Sequence, residues 1–157
     1  MIRLILLLLS IPFMFLSCSK DINPDLDQQE QFQKDLNLIR NYLSDKHIDA
    51  DSTAEGIFYK IDFSVDTLPD FKPTANSNVT VNYTGYFLDD HIFDAGNNIS
   101  FPLDRVIKGW QIGLMKLKVG DKARLFIPSK YGYGTQGNSE IPANSVLIFN
   151  VELLSID

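Results

Sequence analysis

Two kinds of hydrophobic spacing follow one another along the chain. In QFQKDLNLIRNYLSDKH, the apolar residues Phe32, Leu36, Ile39 and Leu43 recur at intervals of three or four positions. This spacing predicts a helix of about four turns with one apolar stripe. The stripe has to be covered, either by the domain that follows or by a second copy of the protein.

Beyond Gly56 the apolar positions come in short runs. The runs GIFYKIDF, NVTVNYTGYF, KARLFIP and SVLIFNVELLSI predict strands. In the second and the last run, apolar residues alternate with polar ones, as a strand with one buried face requires. The alternating residues are Val79, Val81 and Tyr83 in the former and Leu147, Phe149 and Val151 in the latter.

One short helix is predicted between the second and third of these strands. In RVIKGWQIGL, Trp110 and Leu114 are four residues apart, as on one face of a helix, and KVGD then turns the chain. The Gly-rich SKYGYGTQGNSEIPAN is expected to be a surface loop carrying tyrosines. The expected fold class is therefore α+β: a twisted antiparallel β-sheet (half-barrel) wrapped around one short helix and preceded by an N-terminal amphipathic helix.

The first residues have the pattern of an export signal. MIRLILLLLSIPFMFLSCSKD contains one early arginine and then an apolar run, which is shorter than the roughly 20 residues of a membrane span. FLSC resembles the lipobox of bacterial lipoproteins, which implies lipidation of Cys18, the only cysteine. The expected location is the cell envelope, with a lipid anchor in the outer membrane facing the periplasm or, as the Gram-negative export signal that SKD resembles would imply, the outside. The alternative is an incidental thiol in a cleaved peptide.

Composition and charge exclude several function classes. Residues 1–70 carry 12 acidic against 6 basic side chains and residues 71–157 carry 8 of each, so neither part has the basic surface that nucleic-acid binding needs. His47 and His91 are expected on the surface, with no cluster at metal-ligand spacing around them, and no metal site is predicted. A hydrolase is not expected, because neither histidine has a nucleophile nearby in the sequence.

The motifs of the C-terminal part resemble a known family. VNYTGYFLDDHIFDAG, FPLDRVIKGWQIGLMKLKVGDKARLFIPSKYGYGTQG and IPANSVLIFNVELL are similar, in order and spacing, to the FKBP-type peptidyl-prolyl cis-trans isomerases. The resemblance implies isomerisation of X-Pro bonds in exported proteins, with no covalent chemistry and no cofactor. It implies proline-containing polypeptides as partners and admits tacrolimus- or rapamycin-like ligands. The expected domains are a signal peptide (1–17), a lipidated cysteine with a flexible tether (18–31), a helix with a lead-in strand (32–71) and the isomerase domain (72–157).

The resemblance also implies the site residues, motif by motif. Five are expected at the reacting amide: Tyr83, Asp94, Ile107, Trp110 and Tyr133. Five more are expected to bind substrate: Phe93, Ile99, Val106, Ile141 and Phe149. In the family, the indole matching Trp110 is the platform for the proline ring, and the acid matching Asp94 sits beside the twisting amide. The N–H matching Ile107 and the hydroxyl matching Tyr133 hold substrate carbonyls.

Several positions depart from the family pattern. Ile99 stands where an aromatic residue is frequent, and Glu140 stands where an apolar one is common. These departures bear on rate and sequence preference more than on fold or reaction, and the sequence leaves the size of their effect open. The alternative function is a chaperone module that binds proline-containing segments with little or no turnover. Because such a module would not need the polar pair Tyr133 and Asp94 together with Trp110, the sequence favours the enzyme.

Overall fold

The computed structural model describes residues 24–65 and 70–157. The predicted signal peptide (1–17) and the predicted lipidation site, Cys18, lie outside these residues. The bounds are α1 (Pro24–Asp45), β1 (Asp51–Ser52), β2 (Phe58–Phe63), β3 (Asn78–Tyr86), β4 (Ile92–Pro102), α2 (Lys108–Leu114), β5 (Lys122–Ile127) and β6 (Leu147–Ile156). Two single-turn 3-10 helices, at Leu103–Arg105 and Ser129–Tyr131, flank α2 and β5. None of the helices in the described residues is long and apolar enough to cross a membrane.

All six strands belong to one antiparallel sheet. Their order is β1-β2-β5-β6-β3-β4, so β1 and β4 lie at the edges and the sheet does not close. The sheet carries α2 on its concave face, where the main core forms. The predicted α+β half-barrel is therefore confirmed.

Helix α1 covers the outer face of its own sheet. Ile39 and Leu43 pack with Phe126 of β5 and Ile148 of β6 in a second core. These two strands therefore bury residues on both faces, with Leu125 turned to the concave core and Phe126 to α1. Of the apolar stripe of α1, Leu36, Ile39 and Leu43 are thus buried within one chain and Phe32 is half-buried.

Helix α1 begins earlier than the hydrophobic spacing indicates. It begins at Pro24, eight residues before Phe32, so the last part of the predicted tether is helical. Proline suits the first turn of a helix, and Asp25 and Asp27 in that turn face the positive end of the helix dipole. This part of α1 is exposed and needs no apolar stripe, which is why the spacing does not reveal it.

The longest strand, β4, was not predicted. Within the described residues, its 11 residues pair only with β3, and all of them are exposed or half-buried, so no apolar alternation marks them. The register between β3 and β4 also shifts between Val81 and Tyr83. A bulged edge strand of this kind has no regular period in sequence.

Candidate active site

A cavity of about 440 Å³ opens on the concave face beside α2. Its wall contains all ten residues that the family resemblance implies, from Tyr83 on β3 to Phe149 on β6. The tertiary fold thus brings the ten together, although their roles stay predictions. Four further lining residues were not among them: Phe101, Arg105, Asn138 and Glu140.

Aromatic rings enclose Trp110 at the floor of the cavity. Its ring centroid lies 5.1 Å from those of both Tyr83 and Phe149, each at an interplanar angle of 86°. Phe101 lies 5.3 Å away in a tilted arrangement. Edge-to-face geometry is favourable between aromatic rings, so these contacts fix the plane of the indole, which is only 5% exposed.

Two glycines allow the close approach of these rings. A Cβ at Gly109, in α2, would collide with Ile127 of β5, so glycine lets α2 and Trp110 sit directly on the sheet. A Cβ at Gly85 would lie 2.7 Å from the Phe93 ring and 2.8 Å from the Phe149 ring. Phe93 and Phe149 pack edge to face above this position, with centroids 5.5 Å apart.

A polar pair stands at one side of the cavity. The Tyr83 hydroxyl donates a hydrogen bond of 2.7 Å to Asp94 Oδ2. Burial, and then the hydrogen bond and negative charge of Asp94, raise the pKa of Tyr83 to about 12. Burial, followed by the charge of Asp94, also raises the pKa of Tyr133. Both tyrosines are therefore neutral hydrogen-bond donors at neutral pH.

The bulge between β3 and β4 helps to place this pair. Tyr83 is paired with Gly96 where Val81 is paired with Ile99, so β4 has one residue more than β3 between these positions. Asn98 in the bulge has φ +56°, and its N–H donates to Asn82 Oδ1 at 2.8 Å. Asparagine tolerates this left-handed conformation better than most residues.

The start of α2 offers a backbone donor to the cavity. Ile107 is the N-cap residue, and its N–H has no acceptor within residues 24–65 and 70–157. The Gln111 side chain, which is buried, donates to the Val106 carbonyl at 2.8 Å and holds this segment against α2. Gln111 was missed because the motif alone does not show that its amide folds back one turn.

The loop after β5 supplies the opposite wall. Ile141 is 4% exposed, and its N–H donates to Asn138 Oδ1 at 2.7 Å. The same oxygen accepts a hydrogen bond from the Glu140 N–H at 2.9 Å. Asn138 therefore holds both residues at the cavity, a role that residue type alone does not indicate. Tyr133 and Ile99 are more exposed and form part of the rim.

Charges on the outer face of the sheet are paired with one another. A groove of about 480 Å³ there contains the Asp62–Arg124 ion pair, at 2.6 Å, and the Lys122–Glu152 pair, at 3.3 Å. Within the described part of the chain, no three side chains of histidine, cysteine, aspartate or glutamate are grouped to hold a metal ion. The aromatic cavity is the stronger candidate for a binding site, since apolar walls with a few polar groups are typical of ligand pockets.

The solved structures of two bacterial proteins are similar in fold to this chain. The crystal structure of FkpA from Escherichia coli matches with a TM-score of 0.69 and 33% identity, over 85% of this chain and 62% of that one. A peptidyl-prolyl cis-trans isomerase from Pseudomonas syringae matches with a TM-score of 0.64 and 29% identity, over 83% of this chain and 96% of that one.

Three curated relatives are similar in sequence to this chain over stretches of different length. FkpA from Aeromonas hydrophila is 47% identical over 90 residues, 55% of this chain and 34% of that protein. FkpA from Escherichia coli is 38% identical over 134 residues, 83% of this chain and 48% of that protein. FK506-binding protein 1 from Saccharomyces cerevisiae is 42% identical over 92 residues, 54% of this chain and 81% of that protein.

The chain spans 34% of the Aeromonas FkpA and 48% of the Escherichia coli one, so much of these longer proteins has no counterpart in the match. The model of the FKBP-type peptidyl-prolyl cis-trans isomerases matches residues 70–154, the part that forms the cavity. By fold, by cavity and by sequence, the chain belongs to the FKBP-type peptidyl-prolyl cis-trans isomerase family.

Proposed function

We propose that the protein catalyses cis–trans isomerisation of X-Pro bonds in exported polypeptides during their folding. The observation that carries this proposal is the aromatic cavity floored by Trp110, with the Tyr83–Asp94 pair at its side. The family to which residues 70–154 belong supports it. The reaction needs an environment that favours a twisted amide, and the cavity provides one.

The barrier to this reaction comes from amide resonance. Rotation about the C–N bond has a barrier of about 18–20 kcal/mol, and the uncatalysed step takes tens to hundreds of seconds. A planar amide has more charge separation than a twisted one and is better solvated by water. An apolar cavity lined by Phe93, Trp110 and Phe149 therefore favours the twisted state relative to the planar one.

The polar groups of the cavity orient the substrate. The Tyr133 hydroxyl and the Ile107 N–H are the donors for substrate carbonyls, and Trp110 lies under the proline ring. Asp94, held by Tyr83, lies beside the amide as it twists. No covalent intermediate is needed, because no bond is made or broken.

A second function remains, because an aromatic cavity can hold proline-containing segments without catalysis. We would measure turnover on a proline tetrapeptide, and tacrolimus affinity, for wild type, Tyr133→Phe, Asp94→Leu and the double variant. Losing one hydrogen bond to a substrate carbonyl costs roughly 0.5–1.5 kcal/mol, or several-fold in rate. An isomerase should lose that much kcat/KM in Tyr133→Phe, and kcat/KM should also fall in Asp94→Leu, which removes the acid beside the twisting amide. The double variant should lose more than either, with tacrolimus still bound.

Tyr131→Phe is the matched control, since Tyr131 lies two residues away and outside the cavity wall; it should keep wild-type turnover. A wild-type protein that binds an unfolded client tightly, with no isomerisation above background, would establish the chaperone function instead. Tacrolimus binding is proposed because one relative is named FK506-binding protein 1.

We also propose that the protein is a lipoprotein of the cell envelope, anchored to the outer membrane through Cys18. The lipobox-like FLSC and the apolar run before it support this. Since α1 begins at Pro24, the intervening residues can span no more than about 20 Å. The anchor would therefore hold the start of α1 close to the bilayer surface.

Labelled palmitate tests the anchor. Wild type should incorporate the label and fractionate with membranes, whereas Cys18→Ser should do neither. Recovery of wild type in the soluble fraction with a free thiol would refute the anchor. Protease treatment of intact cells then distinguishes the two faces, because only a surface-facing domain is digested.

A further inference from the structure

A buried polar contact joins α1 to the loop after β5. Asp35 of α1 is 0% exposed and Ser129 is 2% exposed. Asp35 Oδ2 accepts hydrogen bonds from the Ser129 N–H at 2.8 Å and from the Ser129 hydroxyl at 2.5 Å. Asp35 Oδ1 accepts a third from Gln31 Nε2 at 2.7 Å. A carboxylate buried to this degree is costly unless hydrogen bonds compensate its lost hydration, so these partners define one arrangement of the two elements.

Ser129 lies at the base of the loop segment that carries Tyr133. Its carbonyl accepts hydrogen bonds from the Gly132 N–H at 2.9 Å and from the Gly134 N–H at 2.8 Å. Ser129 is thus bonded to α1 on one side and to both chain neighbours of Tyr133 on the other. A displacement of Ser129 would move Tyr133 with it.

Other contacts also hold this segment: Tyr131 packs against the main core, and the Gly137 and Asn144 N–H groups donate to the Tyr133 and Gly134 carbonyls at 3.1 and 2.8 Å. The side-chain face at its tip is open. A Cβ at Gly134 would have no atom within 4 Å, and Tyr133 is 38% exposed. The remaining contacts with α1 are ring contacts at the surface: Phe32 meets Tyr131 edge to face at 6.0 Å, and Lys130 Nζ lies 5.4 Å from the Phe32 ring. Among these contacts between α1 and the loop segment, the contact between Asp35 and Ser129 is the one that is both buried and polar.

We propose that Asp35 is a positioning residue for the isomerase: through Ser129, it holds the loop so that the Tyr133 hydroxyl is aimed into the cavity. The inference rests on the proposed function, because it takes that hydroxyl as a donor to a substrate carbonyl. No residue of α1 lines the cavity. Helix α1 nevertheless becomes part of the catalytic apparatus, and its loss would impair more than stability.

A double-mutant cycle in the full chain tests this coupling. On a proline tetrapeptide, Asp35→Ala should lower kcat at least fivefold with KM changed less than twofold. Asp35→Asn should recover at least half of wild-type kcat, since its amide oxygen can still accept from Ser129. In a Tyr133→Phe background, Asp35→Ala should have less than a twofold further effect. Should Asp35→Ala fail to fold, Ser129→Ala, which removes only the hydroxyl donor, replaces it in the cycle.

Ile39→Val is the matched control on the same helix. It loosens the packing of α1 in the second core without touching Ser129, so it should lower Tm while kcat/KM stays within twofold of wild type. Amide hydrogen exchange adds a readout that needs no turnover. The Gly134 amide should exchange at least fivefold faster in Asp35→Ala than in Ile39→Val.

The outcomes separate the inference from the proposed function. If wild type has no isomerase activity, the proposed function fails, and exchange at Gly134 alone decides whether Asp35 holds the loop. If Asp35→Ala lowers kcat equally with and without the Tyr133 hydroxyl, or leaves Gly134 exchange unchanged, Asp35 is a structural residue only and the positioning role is wrong.

Discussion

At the scale of single residues, Trp110 combines a structural function in the core with a proposed catalytic function in the cavity. It is a member of the concave core and also the floor of the cavity. Its indole N–H is buried without a hydrogen-bond partner in the described residues, so the ring is held by packing and not by a hydrogen bond. A substitution that tests the catalytic function must therefore retain part of the side-chain volume, so that stability is largely preserved, while it removes the flat ring.

Trp110→Leu provides this separation. Complete truncation to alanine costs about 3–5 kcal/mol for a buried aromatic residue, whereas leucine fills part of the space. We expect Trp110→Leu to fold with a moderately lower Tm, and its isomerase kcat/KM to fall by more than tenfold, since the proline platform is lost. Urea unfolding beside the tetrapeptide assay measures both. Wild-type turnover in a folded Trp110→Leu protein would show that Trp110 is only structural.

Because its pKa is raised, Tyr83 makes the free energy of unfolding depend on pH in the alkaline range. Its pKa is raised to about 12 in the folded protein, against about 10 for an ordinary tyrosine. The folded state therefore holds this proton more tightly than the unfolded chain does. The resulting stabilisation is complete below about pH 10 and is lost as the pH rises towards 12. We expect the free energy of unfolding to fall more steeply from pH 10 to 11.5 in wild type than in Tyr83→Phe; equal slopes would contradict the assignment.

At the scale of elements, one sheet packs against a helix on each of its two faces. Strands β5 and β6 turn alternate side chains to the concave core and to α1. Consequently α1 is packed as a core element, although it precedes the part of the chain that the family model matches, residues 70–154.

Ile39 measures how much this packing contributes. It is fully buried between α1 and the sheet, and removing its side chain beyond Cβ leaves a cavity. We expect Ile39→Ala to lower the free energy of unfolding by about 2–5 kcal/mol. Leu38→Ala, at the adjacent and more exposed position, is the control and should change it by only about 0.5 kcal/mol. Equal effects of the two substitutions would mean that α1 is not docked in solution.

At the scale of the whole molecule, the two cores share the strands between them. Neither can lose its packing without exposing one face of β5 and β6. Small domains built in this way usually unfold in one cooperative transition. The described chain, with α1 included, should therefore behave as one folding unit.

Two spectroscopic probes test this cooperativity. Trp110 is the only tryptophan, so its fluorescence reports on the concave core. Helix α1 has 22 residues and α2 has seven, so circular dichroism at 222 nm follows mainly α1. We expect the two urea transitions to coincide within error. Loss of the helical signal at lower urea would instead show that α1 folds independently of the sheet.

Several features could be predicted because they depend on local spacing or on contiguous motifs. The apolar periodicity located α1 and most strands, and the motifs around Tyr83, Trp110 and Tyr133 indicated the cavity residues. Features that depend on partners distant in sequence were not predicted. Strand β4 is held by β3 rather than by its own pattern. Gln111 and Asn138 were missed for a different reason: their partners, Val106 and Ile141, are only five and three residues away, but residue type alone does not show that these side chains fold back onto the backbone.

By itself, the sequence determined the fold class, the family and ten of the residues that line the cavity, because hydrophobic period and motif order are properties of the chain. Tertiary structure alone decided what covers the stripe of α1, since an apolar face is satisfied equally by its own sheet or by a second copy. It also decided that Asp35 meets Ser129, 94 positions away. A buried carboxylate takes whichever donors the fold brings to it, and no local pattern encodes them.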